Sequence, residues 1–310
     1  MPARLIINAD DFGLTPGINR AVCELHHAGA ITSTTLMATG PAFEEAVQIA
    51  LANPTLGVGC HIVLTDGVPV SHPYDIPTLL GADGKTFRPS LMDFAQAVLR
   101  GTVRENDILR EASAQIQKLQ RAGIDITHLD THKHAHIFPA VSRPLLHIAE
   151  RCGIGAIRNP FEPGWSLALN QGTRARRLVL KALCHYFGPR FLDEMRRTQQ
   201  EVGTTDGTIS ISATGDLTIH TLAQTLTSIP DHGTWELVVH PGYNDAALDA
   251  VTTRLRHHRD VEREALMHQV PALRMHPHSP EFIHYGSVGP FNVLREIGQF
   301  FPQTGYEKVL

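Results

Sequence analysis

The chain is short of several things at once, and each shortage excludes something. Four cysteines in 310 residues, with no Cys-x-x-Cys pair, leave no basis for a disulfide framework or a zinc knuckle. Cys23, Cys60, Cys152 and Cys184 read instead as buried thiols of a reducing compartment, so the expected location is cytoplasmic. Charge of one sign is also lacking. With 27 Lys and Arg against 31 Asp and Glu, the formal net charge is -4 and the cations are scattered. That removes the basic footprint of a nucleic-acid binder or of a protein held on an anionic membrane. No apolar run approaches the roughly 20 residues of a membrane span. The N-terminal RLIINA is too short for a signal h-region and runs straight into acid, so no targeting peptide is expected. Internal repeats, low-complexity tracts and obvious linkers are missing too. A 42% hydrophobic fraction over 310 residues suits one large α/β domain covering 1–310, since α/β barrels run to roughly 250 residues or more as single units.

What is present is an alternation of short β-like runs and longer helical patterns. RLIINA (4–9), STTLMA (33–38), LGVGCHIVL (56–64), THLDTH (127–132), GAIRNP (155–160), TISIS (208–212) and WELVVH (235–240) read as strands or strand ends. Between them, helices are expected at 16–28, 42–52, 90–100, 105–122 and 139–151, the first opened by Pro16 and closed by Gly29. A loop rich in Pro, Gly and Asp is inserted at about 66–89. Residues 172–200 carry a basic amphipathic stretch, RARRLVLKALCHYF, read as the solvated face of a packed helix or a basic contact with substrate. A further helix is expected between TISIS and WELVVH, and the tail, about 251–310, reads helix, strand (FIHYG, 282–286), helix. Repeated β-then-α units imply right-handed parallel crossovers. Such units build either an open doubly wound sheet or a closed barrel; seven or so of them, with polar residues at successive strand ends, favour a barrel-like closure with its active site at the C-terminal ends of parallel strands.

The residues at those ends form a chemical set: Asp10-Asp11, His61, the run His128-Leu-Asp130-Thr-His132-Lys-His134-Ala-His136, Arg158, and His240-Pro-Gly. The chain has 19 histidines, and four of them share nine residues with Asp130. Each piece alone has a plain structural reading. Asp-Asp serves turns and caps, a strand histidine is often a satisfied core residue, and Pro-Gly explains a turn. Jointly, one aspartate and two imidazoles make a common site for a catalytic divalent metal, with zinc, cobalt or nickel suited to the N/O donors and magnesium a poorer match. Such an ion lowers the pKa of water and polarises a carbonyl, while a spare carboxylate beside it can take a proton. His128 lies four residues from His132, about 13 Å along a strand and too far to share an ion unless the chain turns. Cys60 adjoins His61 and should face away from it.

NADDFGLTPGINRAV (8–22), STTLMATGPAFEEAV (33–47), VGCHIVLTDGVPV (58–70), THLDTHKHAHIFP (127–139) and VVHPGY (238–243) resemble, in order and spacing, the YdjC-like carbohydrate deacetylases. That family includes the chitooligosaccharide and hopanoid-biosynthesis-associated deacetylases. The likeness covers about 1–245, and the tail matches only loosely. The resemblance implies a distorted, TIM-like (β/α) barrel and metal-dependent removal of an N-acetyl group from an amino sugar, with one divalent ion: zinc first, magnesium, cobalt or nickel as alternatives. Asp11, His61 and His132 would be the ligands, Asp10 the general base and His240 the general acid. Asp130, His134, His136 and Arg158 would stand behind the ligands or on the substrate. The small-molecule partner would be an N-acetylglucosamine oligosaccharide or glycoconjugate, or a lipid-linked, hopanoid-type one, and a homodimer is implied. A metal-dependent phosphoesterase is the rival reading, disfavoured because only Lys133 and Arg158 are available to cradle phosphate. For Asp10 and Asp11 to reach one site the chain must bend at the pair, and Gly13 is the residue expected to permit it.

Overall fold

The computed structural model describes residues 2–169, 174–198 and 202–289. β1 (Arg4–Phe12) is followed by α1 (Pro16–His27), β2 (Ser33–Leu36), α2 (Phe43–Ala52) and β3 (Gly57–Ile62). The 66–89 segment carries only a short 3₁₀ turn at Pro73–Asp75 and the antiparallel bridge Leu80–Phe87. Then come α3 (Leu91–Leu99), α4 (Glu105–Arg121), β4 (Ile126–Thr131), a 3₁₀ segment at His132–Ile137, and α5 (Pro139–Arg151). α6 (Gly164–Leu169), α7 (Arg174–Arg197), β5 (Gly207–Ile209), α8 (Ile219–Thr227), β6 (Thr234–Val239), α9 (His257–Arg274) and β7 (Glu281–Phe282) complete the described elements. All strand pairs are parallel, in the order β4-β3-β2-β1-β6-β5, with β7 also on β1. The curled sheet is a distorted (β/α) barrel: the alternating pattern implies its parallel strands and closure, and the family resemblance its distorted form. The expected strand at 155–160 forms no regular ladder. Single bridges, Leu129 to Ile157 and Ala156 to Gly203, join β4 towards β5 across it. The expected strand 282–286 stops at Phe282 and gives way to a 3₁₀ turn at Tyr285–Ser287. The helix expected after it falls outside the described residues, as do 172–173 and 199–200 of the basic stretch.

Strand alternation divides the side chains into two populations. Leu5, Ile7 and Ala9 of β1, Val58, Cys60 and Ile62 of β3, and Trp235, Leu237 and Val239 of β6 belong to the large apolar core. Cys60 is therefore packed among hydrophobes, away from His61, and burial pushes its thiol well up, with Asp130 adding to the shift. The opposite parity holds Ile6, Asn8 and Asp10, then Gly59 and His61, then Glu236. Only a small apolar plug, Ile6, Ala156, Ile283 and Tyr285, occupies this inner side. Above it the interior is polar: Asn8, Asp10, Thr35, His61, His128, Asp130, Arg158, Thr208 and Glu236 are all buried. Gly59 leaves the space that the His128 ring fills, since a Cβ there would lie 2.4 Å from Cε1.

Strict alternation would send Asp11 outward with Ala9. Instead the β1–β2 register slips by one residue between Ala9 and Phe12, and Asp11 takes φ +66°. The bend is thus a bulge centred on Asp11 itself, a residue type that tolerates the left-handed region, and not a hinge at Gly13 alone. Gly13, at φ +88°, completes the turn. Its N–H donates to Asn19 Oδ1 (2.8 Å), its carbonyl accepts from Ala42 N (2.9 Å), and Leu14 N closes back on Asp11 O (3.0 Å). Gly40 packs flat on this turn: a Cβ there would stand 2.2 Å from the Gly13 carbonyl oxygen. The obstacle is backbone, so Gly40→Ala should destabilise by roughly 1–3 kcal/mol. Urea unfolding of the two proteins measures this, and equal midpoints would show that the turn yields without cost.

Candidate metal centre

Three side chains from three strand ends converge. Asp11 Oδ1 lies 3.6 Å from His61 Nε2 and 3.3 Å from His132 Nδ1, and the two imidazole nitrogens are 3.3 Å apart. His61 comes straight off β3. His132 follows β4, where Lys133 and His134 both take left-handed φ (57° and 53°) and turn the chain sharply. His61 donates Nδ1–H to Asp130 Oδ1 (2.8 Å), a contact that fixes its tautomer and aims Nε2 at the other two groups. Asp11 and His61 are buried, and His132 is 19% exposed, so the cluster opens to solvent on the His132 side.

Four features test whether this set suits a cation. Asp11 Oδ1 is buried without a hydrogen-bond partner. The cluster of Asp11, His61 and His132 has the donor types and mutual reach of a metal site. Its edges of 3.3–3.6 Å compare with the roughly 3.3–3.5 Å between ligands bonded at about 2.0–2.1 Å in tetrahedral geometry. Burial pushes the His61 imidazole down, but Asp130, with Asp10 and Asp11, lifts it to about 9, so the surroundings call for positive charge. The residues fit a divalent ion.

Behind the cluster sits Arg158, fully buried. It donates from NH1 to Asp10 Oδ2 (2.8 Å) and from NH2 to Asp10 Oδ1 (2.6 Å). It also donates from NH1 to Asp130 Oδ2 (2.5 Å) and from Nε to Glu236 Oε1 (2.8 Å). Asp10 Oδ1 further accepts from Asn8 Nδ2 (2.9 Å) and Thr35 Oγ1 (3.3 Å). Burial alone would raise the Asp10 carboxyl, yet the charge and hydrogen bonds of Arg158 hold it well below the usual carboxylate range. Asp11 is treated likewise by Arg259 of α9, whose NH2 reaches Oδ2 at 2.6 Å. His240, 12% exposed, places Nε2 3.8 Å from Asp10 Oδ2. Burial pushes it down to about 4, so it is neutral at pH 7.

The sequence-nominated residues separate here. Asp10, Asp11, His61, Asp130, His132, Arg158 and His240 are brought together. His136 is not open to substrate: Nε2–H donates to Arg158 O (3.2 Å) and Nδ1 accepts from Thr131 Oγ1 (2.6 Å), which uses both ring nitrogens. His134 is half-buried and its ring lies 6.5 Å from that of His136. His128 is no part of the cluster and stacks on Tyr285, ring centroids 3.8 Å apart. Sequence reasoning missed Arg259, Glu236 and Tyr285. Tyr285 O–H donates to Glu236 Oε2 (2.5 Å), and Thr208 Oγ1 donates to the same oxygen (2.8 Å). The one available signal was Glu236 standing alone in the apolar run WELVV.

Fold and site together define a (β/α)-barrel protein with an Asp-His-His cluster that could hold a metal ion at the strand C-termini. The chain belongs to the YdjC-like protein family, which it matches over residues 4–273. It is 33% identical to a carbohydrate deacetylase of Brevibacillus brevis over 245 residues, 79% of this chain and 84% of that one. To a carbohydrate deacetylase of Geobacillus stearothermophilus it is 40% identical over 151 residues, 49% of this chain and 58% of the relative. A crystal structure from Enterococcus faecalis V583, described as a "putative cellobiose-phosphate cleavage protein", superimposes with TM-score 0.73 at 24% identity, covering 93% of this chain and all of that one. At that identity the likeness speaks for the fold.

The buried histidines make acid stability predictable. Burial takes His136 down to about 3 and His240 to about 4, and it also lowers His128. From about pH 6.5 downward the unfolded chain binds protons that the native one refuses, so native stability falls as pH falls. His61 acts oppositely: its contribution is full below pH 6.5 and is lost as pH rises through about 9. Glu262, which burial raises to about 7, holds its proton in the native state and so offsets one refused histidine proton between about pH 7 and 4.5. Urea unfolding of chelator-treated protein should therefore show greatest stability near pH 6.5–7, with on the order of 3 kcal/mol lost by pH 4 for each refused proton not so offset. A flat profile from pH 6.5 to 4 would show that these imidazoles meet water in the native state.

Proposed function

We propose that the protein is a metal-dependent hydrolase that removes the N-acetyl group of an amino sugar, in an N-acetylglucosamine oligosaccharide or glycoconjugate. The observation that carries this reading is the buried, unpartnered Asp11 Oδ1 facing two imidazole nitrogens, with the ionised Asp10 clamped alongside. The relatives named carbohydrate deacetylase support the choice of bond. Asp11, His61 and His132 are the residues that would hold the ion. Zinc is the first expectation from the mixed N/O donors, cobalt or nickel the next, and magnesium the poorest match. When bound, a divalent ion polarises a carbonyl oxygen and lowers the pKa of water towards neutrality.

The rest is done by the chain's own groups. Asp10 is the base: Arg158 keeps it ionised and fixes its plane, and Oδ2, which accepts only from Arg158, turns its spare lone pair towards His240. A carboxylate held so low is a weak resting place for a proton. His240, neutral at pH 7, is the acceptor beside it and cannot begin the reaction as an acid. The proton taken from the attacking water therefore passes through Asp10 and His240 to the leaving nitrogen. The water oxygen ends in acetate, the C–N bond breaks, and the amine carries the transferred proton.

A lipid-linked N-acetylglucosamine is the second reading, and one observation favours it. α7 exposes Leu178, Val179 and Tyr186 beside Arg174 and Lys181, while its Phe187 packs on Phe138 at the end of the site loop. A phosphoesterase is disfavoured, because the nearby cations Arg158, Arg259 and Lys133 are each paired with a carboxylate.

Zinc-loaded protein should release acetate from N-acetylglucosamine oligomers or from an N-acetylglucosaminyl lipid, and comparing the two substrates decides between the readings. Asp10→Asn should keep its zinc and lose about 10²–10⁴-fold in kcat, the usual worth of a positioned base. Release from neither substrate would overturn the proposal, and full turnover by Asp10→Asn would remove Asp10 from the base role.

A further inference from the structure

Arg259 lies in α9, a helix remote in sequence from every cluster residue, yet its guanidinium is 1% exposed and ends at the site. Three contacts fix it. NH2 donates to Asp11 Oδ2 (2.6 Å), Nε to Leu255 O (3.1 Å), and NH1 to His240 O (3.5 Å). Gly242 of the His-Pro-Gly turn lies against it: Gly242 N donates to Arg259 O (3.2 Å), and a Cβ at Gly242 would stand 3.0 Å from Arg259 Cδ. The turn after β6 therefore presents His240 and makes room for the arginine that grips Asp11.

The two aspartates are held differently. Arg158 takes both oxygens of Asp10, whereas Arg259 takes only Oδ2 of Asp11 and leaves Oδ1 facing the imidazoles. We infer that Arg259 is a positioning residue that sets Asp11 as a one-oxygen ligand. A buried guanidinium held against Oδ2 competes with an ion for that oxygen, whereas Oδ1 meets no such competitor, so the carboxylate is set to bind through Oδ1 and to leave the remaining place to water or a substrate carbonyl. The same side chain ties the Asp11 carboxylate to the backbone of His240, which fixes the spacing between ligand and proton carrier. This inference rests on the metal-dependent reading of the site.

The test measures zinc binding directly, by competition with a chromophoric chelator, on wild type, Arg259→Met, Arg259→Lys and Leu222→Ala. Leu222 is a buried residue of α8, which packs on α9, and serves as the control for general loosening of that helix. Far-UV circular dichroism and the Tm of each metal-free protein establish that it is folded. Expected is a zinc affinity displaced 10–100-fold from wild type in Arg259→Met, because orientation of the ligand is lost while a repelling charge is removed and a second oxygen freed, with partial return towards wild type in Arg259→Lys. Leu222→Ala should lower Tm without moving zinc affinity. Crystal structures of the zinc-loaded proteins should show one Asp11 oxygen on the ion in wild type and a rotated or two-oxygen Asp11 in Arg259→Met. Should Arg259→Met not fold, Arg259→Lys carries the same comparison. Wild type that binds no zinc would overturn the metal-dependent reading itself. Wild type that binds, with arginine variants within twofold of it and Asp11 unmoved, would overturn the role of Arg259 alone, as would an equal displacement in Leu222→Ala.

Discussion

The interior of this barrel depends on one buried cation. Arg158 stands on the irregular segment between β4 and β5 and reaches carboxylates on β1, β4 and β6: Asp10, Asp130 and Glu236. A (β/α) barrel is ordinarily closed by layers of branched apolar side chains. Here the apolar plug is reduced to four residues at one end, and the space above it holds charge. Burying such groups unpaired costs several kcal/mol each, so the strands can close only where carboxylates and guanidinium meet. A planar fork satisfies three acids at once in a way an ammonium cannot. The segment that carries Arg158 forms no regular ladder; isolated bridges and side-chain hydrogen bonds from His136, Thr204 and Thr208 hold it, and the guanidinium adds the tie to β1 and β6 that strand pairing does not supply there.

Around that anchor the charges are nearly balanced and deliberately uneven. Four carboxylates (Asp10, Asp11, Asp130 and Glu236) face two guanidinium groups, Arg158 and Arg259, and Glu262, buried beside Arg259 and pushed up to about 7, adds a fifth acid that is only partly ionised near neutrality. The remainder is negative, and a proton on His61 or a divalent ion would offset it. The asymmetry matters more than the total. Adjacent residues of one strand are given different guanidinium partners from distant parts of the chain, and the number of oxygens each partner takes decides what is left over. Asp10 keeps a lone pair on Oδ2 towards His240, and Asp11 keeps a whole oxygen towards His61 and His132.

That pattern explains what could be read from the sequence and what could not. Asp10, Asp11 and His240 were visible as polar residues ending apolar strands, His61 as an imidazole inside the apolar run LGVGCHIVL, and His132 as one of the titratable groups crowded into residues 128–136. The alternating barrel followed from the same strand spacing. Arg259 was invisible: in HHRDVEREALMHQ it looks like one charge among many on a solvated helix, and only barrel closure turns it inward. Glu236 hid inside an apolar run, and Tyr285 in a segment read as strand. Parity placed Asp10 and Asp11 on opposite faces, which was sound as far as it went. It could not show that the aspartate itself, with a slipped register, would make the bend. His136 was expected behind the ligands or on the substrate; its Nε2 meets the carbonyl of Arg158, a contact fixed by a chain crossing that spacing does not encode.

Backbone strain follows the same geography. Among the described residues, five that are not glycine adopt positive φ: Asp11, Asp66, Lys133, His134 and Ser210. All five lie at or just beyond the C-terminal ends of β1, β3, β4 and β5, the face on which the cluster sits. Each such conformation costs of order 1–3 kcal/mol and persists only where the surroundings over-determine it. The surroundings here are identifiable. Asp11 is held by Arg259 and by the Leu14 turn, Lys133 is paired with Asp66 across two loops, and Ser210 Oγ donates to Val238 O at 2.5 Å. Glycine would relieve the strain at any of these positions but would bring no side chain. At Asp11 the strained residue must also supply the oxygen, so the carboxylate and the bend cannot be given to different residues. The conformation is kept because the chemistry needs its side chain there, and the buried arginine that neutralises that side chain also holds the backbone in place.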